Sequence, residues 1–189
     1  LRNLNTKLLK EKGITLVVQG KFEKRVLDQL IWDIEIAFGW PVSLVPFTHD
    51  ILPYFDAARK QYDANRLLDL VYREYSANSV KTIGLFQVDL FIPILTYIFG
   101  QAQHNGSTGI ASLYRLRNQQ YGIKGNERIL YDRFRKVVIH ELGHAFGLIH
   151  CHVPVCVMRP GTYVEDIDQK KSQFCNKCRE QLESSLASI

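Results

Sequence analysis

An α/β (α+β) fold built on a twisted, mixed five-stranded sheet is what this chain of 189 residues predicts, on three observations. Short β-branched runs alternate with stretches of helical periodicity through the first half. A Gly- and Asn-containing turn separates the last two strand candidates. One long helical pattern then follows, and it carries His140 and His144.

The elements are read in order. Ile14–Gln19 (ITLVVQ) is a short apolar, β-branched run and is predicted as a strand. Phe22, Val26, Leu30, Ile34 and Phe38 recur at four-residue spacing, which predicts an amphipathic helix that Gly39 stops. Val42–Phe47 reads as a second strand. Asp63–Tyr75 reads as a helix with Leu67, Leu68, Val71 and Tyr75 turned inward. Thr82–Leu90, Thr96–Ala102 and Ile110–Leu116 read as the third, fourth and fifth strands. Strand–helix–strand order implies a mostly parallel sheet with crossover helices. The run His104-Asn105-Gly106-Ser107-Thr108-Gly109 makes a turn, and a tight connection there sets the fourth strand antiparallel to the fifth. After Gly125 a long helix begins, with Asn126 as its N-cap and Leu130, Phe134, Val137 and Val138 at helical spacing.

The bulk composition bounds the rest. A hydrophobic fraction of 46% and a charged fraction of 23% are ordinary for one soluble domain, which needs no disulfides to build a core. The formal charge of +5 is spread along the chain, with short clusters at Arg133-Phe134-Arg135-Lys136 and Lys170-Lys171. No recognised nucleic-acid module accompanies it, so no nucleic-acid partner is expected. The amino terminus, LRNLNTKLLKEKG, has no apolar run fit for a signal peptide. The longest apolar stretch, Leu90–Phe99, is interrupted by Pro93 and falls far short of the roughly 20 residues that span a bilayer. A cytoplasmic, monomeric protein without a membrane partner is the expectation.

His140-Glu141-Leu142-Gly143-His144 carries the chemistry. Residues four apart on a helix share a face, so both imidazoles can reach one metal ion. Zinc takes nitrogen ligands at about 2.0–2.1 Å and, in catalytic sites, keeps a position open for water. Glu141, next to the first histidine, can reach that water rather than the metal and serve as general base. Five residues alone could be a solvated helix with two surface histidines. The continuation adds Gly147 three residues after His144, and His150 three further on. Glycine can take the left-handed backbone that ends a helix, letting the chain turn back and offer His150 as a third ligand. His152 is read as a neighbour rather than a ligand, and His49 and His104 are given no role.

All four cysteines lie in the last quarter: Cys151 and Cys156, then Cys175 and Cys178 as a CxxC pair. Such a local cluster points to a closed, structural zinc site. One or two disulfides, or a redox-active CxxC, are the alternatives. Side chains of His150 and Cys151 serve two ions if the backbone is extended there, because successive side chains then point opposite ways.

HELGHAFGLIH with Met158 after it resembles the metzincin clan of metalloproteases, whose HExxHxxGxxH motif precedes a methionine turn beneath the zinc. The full run HELGHAFGLIHC-x4-CVM, followed by CNKC, resembles the archaemetzincin branch, and VDLFIPILTYIFGQA and GIASLYRLR are similar to family segments. The resemblance implies a catalytic zinc on His140, His144 and His150, Glu141 as general base, a structural zinc on Cys151, Cys156, Cys175 and Cys178, and Met158 in the Met-turn. It implies two zinc ions per chain. It also implies that the fourth strand is the antiparallel edge lining the upper rim of a cleft. One domain, 1–189, is expected, with an amino-terminal lobe over 1–147 and a carboxy-terminal lobe over 148–189. Some metzincins carry a Tyr two residues after the turn Met; here that position is Pro160, and nearby Tyr163 is read as a packing residue rather than a substitute.

The function these features imply is hydrolysis of peptide bonds in a peptide or protein substrate. The alternative is a zinc-stabilised binding module with little turnover; the intact Glu141 argues against it, and the absent Tyr argues for it.

Overall fold

The computed structural model describes residues 12–188; residues 1–11, most of the run inspected for a leader, lie outside them. The chain opens with β1 (Ile14–Val18), crosses over through α1 (Lys24–Phe38) and returns as β2 (Val42–Pro46), parallel to β1. Two short strands follow, β3 (Phe55–Asp56) and β4 (Gln61–Asp63). Next comes α2 (Ala64–Tyr75), whose first turn is capped by the Asp63 carboxylate accepting the Asn65 and Arg66 N–H groups. Then come β5 (Lys81–Phe86), β6 (Leu90–Ile92), β7 (Leu95–Ile98), β8 (Gly100–Ala102) and β9 (Thr108–Ser112). The long α3 (Glu127–Ala145) and two carboxy-terminal helices, α4 (Val164–Gln169) and α5 (Asn176–Leu186), complete it.

The main sheet has five strands in the order β2-β1-β5-β9-β8. Four run parallel; β8 is the antiparallel edge, joined to β9 through a turn over Gln103–Ser107 rather than one reaching Gly109. Period-two alternation sorts its side chains into two cores. Ile14 and Leu16 of β1, with Ile83 and Leu85 of β5, bury against Leu30, Ile34 and Phe38 of α1 and Phe134 and Val138 of α3. Val17, Phe86 and Ile110 point the other way, into Leu67, Leu68 and Val71 of α2. Burying a side chain of this kind contributes about 1.5–3 kcal/mol, so the α2 face alone anchors that layer. Phe174, Cys178 and Leu182, from the end of the chain, pack into the first core.

Three predicted strands end earlier than their apolar runs. Thr82–Leu90 is two strands in two sheets, because the chain turns at Asp89, whose buried carboxylate accepts two hydrogen bonds from Arg115 and one from Gln61. Thr96–Ala102 divides around Phe99, with β7 in a second sheet and β8 in the main one. Ile110–Leu116 stops at Ser112, whose hydroxyl donates to Val88 O and accepts the Tyr114 N–H, starting a 3-10 turn over Tyr114–Leu116. The second sheet, β3-β4-β6-β7, was not expected from the sequence; its strands are two to four residues long. No helix among the described residues is long and apolar enough to cross a membrane.

Candidate metal centre

α3 starts where the sequence predicts, with Asn126 Oδ1 accepting the Ile129 N–H at 3.1 Å. Its second half runs under the β8–β9 edge. Space is tight there: a Cβ at Gly100 would stand 2.8 Å from Glu141 Cγ. The helix ends in a Schellman motif. Gly147 takes φ +91°, its N–H donates to His144 O, and the Leu148 N–H donates to Gly143 O, each at 2.9 Å. The β8–β9 turn latches this end: the Asn105 N–H also reaches His144 O, and His104 Nε2 lies 3.1 Å from Gly147 O. The reversal brings His150 back over the helix, so that ring atoms of His140, His144 and His150 lie within 4.8 Å of one another.

The tautomers follow from the partners. His140 Nδ1 is 2.8 Å from Val157 O, and His144 Nδ1 is 2.8 Å from Leu148 O. A carbonyl only accepts, so each Nδ1 carries the proton and each Nε2 presents a bare lone pair. Those two Nε2 atoms face each other at 3.1 Å. Burial drives both rings, and the more open His150, below the usual imidazole range, and Lys170 pushes the same way. Two neutral acceptors in contact without a donor repel unless a cation sits between them. The donor set therefore fits a metal ion, and hydrogen bonds from the far side of the ring are the usual way a ligand histidine is oriented.

Met158 is fully buried directly below. A Cβ at position 143 would stand 2.5 Å from its sulfur, so only glycine lets the helix settle on the methionine. Glu141 is buried beside His140. Desolvation pushes its carboxyl up to about 8, against the opposing attraction of Lys170. Desolvation in turn pulls the Lys170 ammonium down to about 8, opposed by Glu141.

The four cysteines also converge, with all Sγ atoms within 4.8 Å of one another and none in a disulfide. Cys151 Sγ and Cys175 Sγ are 3.7 Å apart. A tetrahedron with zinc–sulfur bonds of about 2.3 Å has edges of about 3.8 Å, so the spacing fits. The Val153 and Cys175 N–H groups point at Cys151 Sγ and Cys156 Sγ at 3.4 Å, as donors to thiolates do. Backbone donation from Cys178 lowers the Cys175 thiol, while burial raises Cys156 and Cys178.

The three histidines and Glu141 open onto a cavity of about 540 Å³. β7 and β8 form one wall, Pro160–Tyr163 the other, and Val137, Ile167 and Lys170 line its inner part. None of the four cysteines lines it. The sequence could not name the carbonyls of Val157 and Leu148, since a carbonyl's aim carries no residue code. Lys170, in the sequence only half of a short basic cluster, is buried. Of the histidines given no role, His104 forms the latch, and His49 sits 2.9 Å from the Tyr75 hydroxyl, remote in sequence from the centre.

Comparison with known proteins agrees with this geometry. The family model for peptidase family M54 matches residues 23–184. An archaemetzincin of Pyrococcus horikoshii is 38% identical over 157 residues, 82% of this chain and 81% of that protein. The crystal structure of archaemetzincin from Methanopyrus kandleri superposes with a TM-score of 0.82 at 28% identity, covering 93% of this chain and 96% of that one. A structure described as a zinc-dependent peptidase, from Methanocorpusculum labreanum, gives a TM-score of 0.78 at 29% identity over 90% of this chain and 100% of that one. With the motif, the fold and these relatives in agreement, the chain belongs to peptidase family M54, the archaemetzincin family of zinc metalloproteases.

Proposed function

We propose that this chain hydrolyses peptide bonds at a zinc ion held by His140, His144 and His150, with Glu141 as general base, and that Cys151, Cys156, Cys175 and Cys178 hold a second, structural zinc. The observation that carries the reading is the pair of bare Nε2 lone pairs, 3.1 Å apart, beside a buried carboxyl at the inner end of an open cavity. Zinc, when bound, supplies a Lewis acid with an open position that brings the pKa of water to about 7.

The chain's own residues do the remainder. Val157 O and Leu148 O hold two rings in one tautomer, and Met158 supports the helix beneath them. Glu141 takes the proton of the attacking water and passes it to the leaving amine. Tyr163 is 63% exposed at the cavity wall, so packing does not hold it, and its phenol is our candidate donor to the developing oxyanion in place of the Tyr that Pro160 displaces. Residues 148–189 form the carboxy-terminal lobe that supplies His150, Met158 and the cysteine site.

The test is a peptide-library digest read by mass spectrometry alongside zinc analysis. Glu141→Gln is expected to keep both zinc ions and lose about 10²–10⁴ in rate. His144→Ala is expected to lose the catalytic zinc with the activity. Glu141→Gln cleaving the best peptide as fast as the native protein would overturn the mechanism.

A further inference from the structure

We infer that Lys170 is a specificity-determining residue, whose ammonium receives a carboxylate of the peptide bound in the cavity. This rests on the peptidase reading of the site. Lys170 is 4% exposed and lines the same cavity as His140 and Glu141. Its Nζ makes one hydrogen bond, donating to Arg159 O at 2.7 Å, although an ammonium has three donors.

The other buried cations are answered locally. Arg133 forks onto Asp168, and Lys136 pairs with Asp132 at 2.6 Å. Lys81 donates to Gly106 O and lies over the Phe146 ring. Among the described residues, Lys170 has neither a carboxylate within ion-pair distance nor an aromatic face, and the negative groups that act on it, Glu141 and the Cys156 sulfur, do so from farther off. A charge taken out of water is costly unless it is paired. Glu141 is the one carboxylate lining the cavity, and it stands beyond ion-pair distance of Lys170. Val137, Phe99 and Ile167 make the neighbouring wall apolar, and Lys170 is the one cationic side chain, apart from the metal centre, that an incoming carboxylate meets there.

A carboxylate reaches this point from an acidic side chain or from the free carboxy terminus of a short peptide. The experiment separates them. A defined peptide set is digested, each sequence made with Glu or Gln beside the mapped cut and with a free or an amidated carboxy terminus. Native protein is compared with Lys170→Met and Lys170→Gln, the latter keeping a donor for Arg159 O. Native protein is expected to prefer one carboxylate form by about tenfold or more, and the ratio to fall towards one in both variants at unchanged zinc content. Dependence on Glu over Gln assigns the side chain; dependence on acid over amide assigns the terminus. The same ratios are measured as Kd by calorimetry on zinc-loaded Glu141→Gln, with and without the Lys170 change. Binding selectivity in that variant with no cleavage of any peptide by the native protein would sink the hydrolytic reading and leave this one standing. No carboxylate preference in the native protein, or a preference that survives in a folded Lys170 variant, overturns it.

Discussion

His150 and Cys151 are neighbours in the chain, yet the two donor clusters to which they belong are built in opposite ways. The histidine cluster takes two members from one rigid helix, borrows backbone carbonyls to orient them, and opens onto a cavity. The cysteine cluster draws three of its members from loops and helix ends and the fourth, Cys178, from the first turn of α5, and it lines no cavity. The contrast is the one expected between a centre that must exchange a ligand and one that must not. It teaches that openness is decided by what surrounds the donors, since the two sets share a stretch of backbone.

That contrast can be broken by experiment. The largest effect expected is on activity. A mild chelator removes the ion from the three neutral imidazoles first, taking turnover to background while the circular dichroism spectrum holds. Unfolding before loss of activity would reverse the two roles. Next is Cys156→Ser. Structural zinc in small finger peptides contributes about 10–16 kcal/mol, but here a large core stands independently, and we expect a loss of about 3–5 kcal/mol. In a domain of this size that lowers Tm by about 10 °C, read by scanning calorimetry under reducing conditions. An unchanged Tm would mean that the thiols hold nothing.

Met158→Ala comes third. It opens a cavity under the helix and costs about 2–5 kcal/mol, whereas Met158→Leu, conserving volume, costs less than about 1.5 kcal/mol. Denaturant unfolding of the pair checks this; equal costs would mean that the sulfur, not the volume, supports the helix. The smallest effect is Gly147→Ala. A Cβ at φ +91°, 3.2 Å from Asn105 Oδ1, strains the turn by about 1–2 kcal/mol. Because that turn lies directly before His150, zinc titration is expected to weaken more at the histidine cluster than at the cysteines.

How much could be read beforehand follows the same division. Helix α3, its Asn126 cap, the Gly147 stop and the ligand candidates were legible because helical spacing and left-handed glycine are local rules. The antiparallel edge strand was legible from its turn. The second sheet was not: β3 and β4 are too short to show a period, and what ends β5 is Asp89, a polar residue explained only by Arg115 and Gln61 far along the chain. Helices α4 and α5 went unread for a related reason, since α4 has six residues and α5 presents few apolar positions. Lys170 was the plainest miss. It is held inward by a bond to Arg159 O, eleven residues back, which no window of neighbours reveals.

One hydrogen bond ties both clusters together. The Cys151 N–H donates to Met158 O at 3.0 Å, closing an eight-residue clasp whose ends touch different centres. A short closed loop gives up its conformational entropy once, on behalf of both. Local opening of the clasp would release His150 and Cys151 in the same event, so the two centres share one cooperative unit of exchange. Amide protection at Cys151 is then a single clock for both, and exchange there slows when either centre is filled.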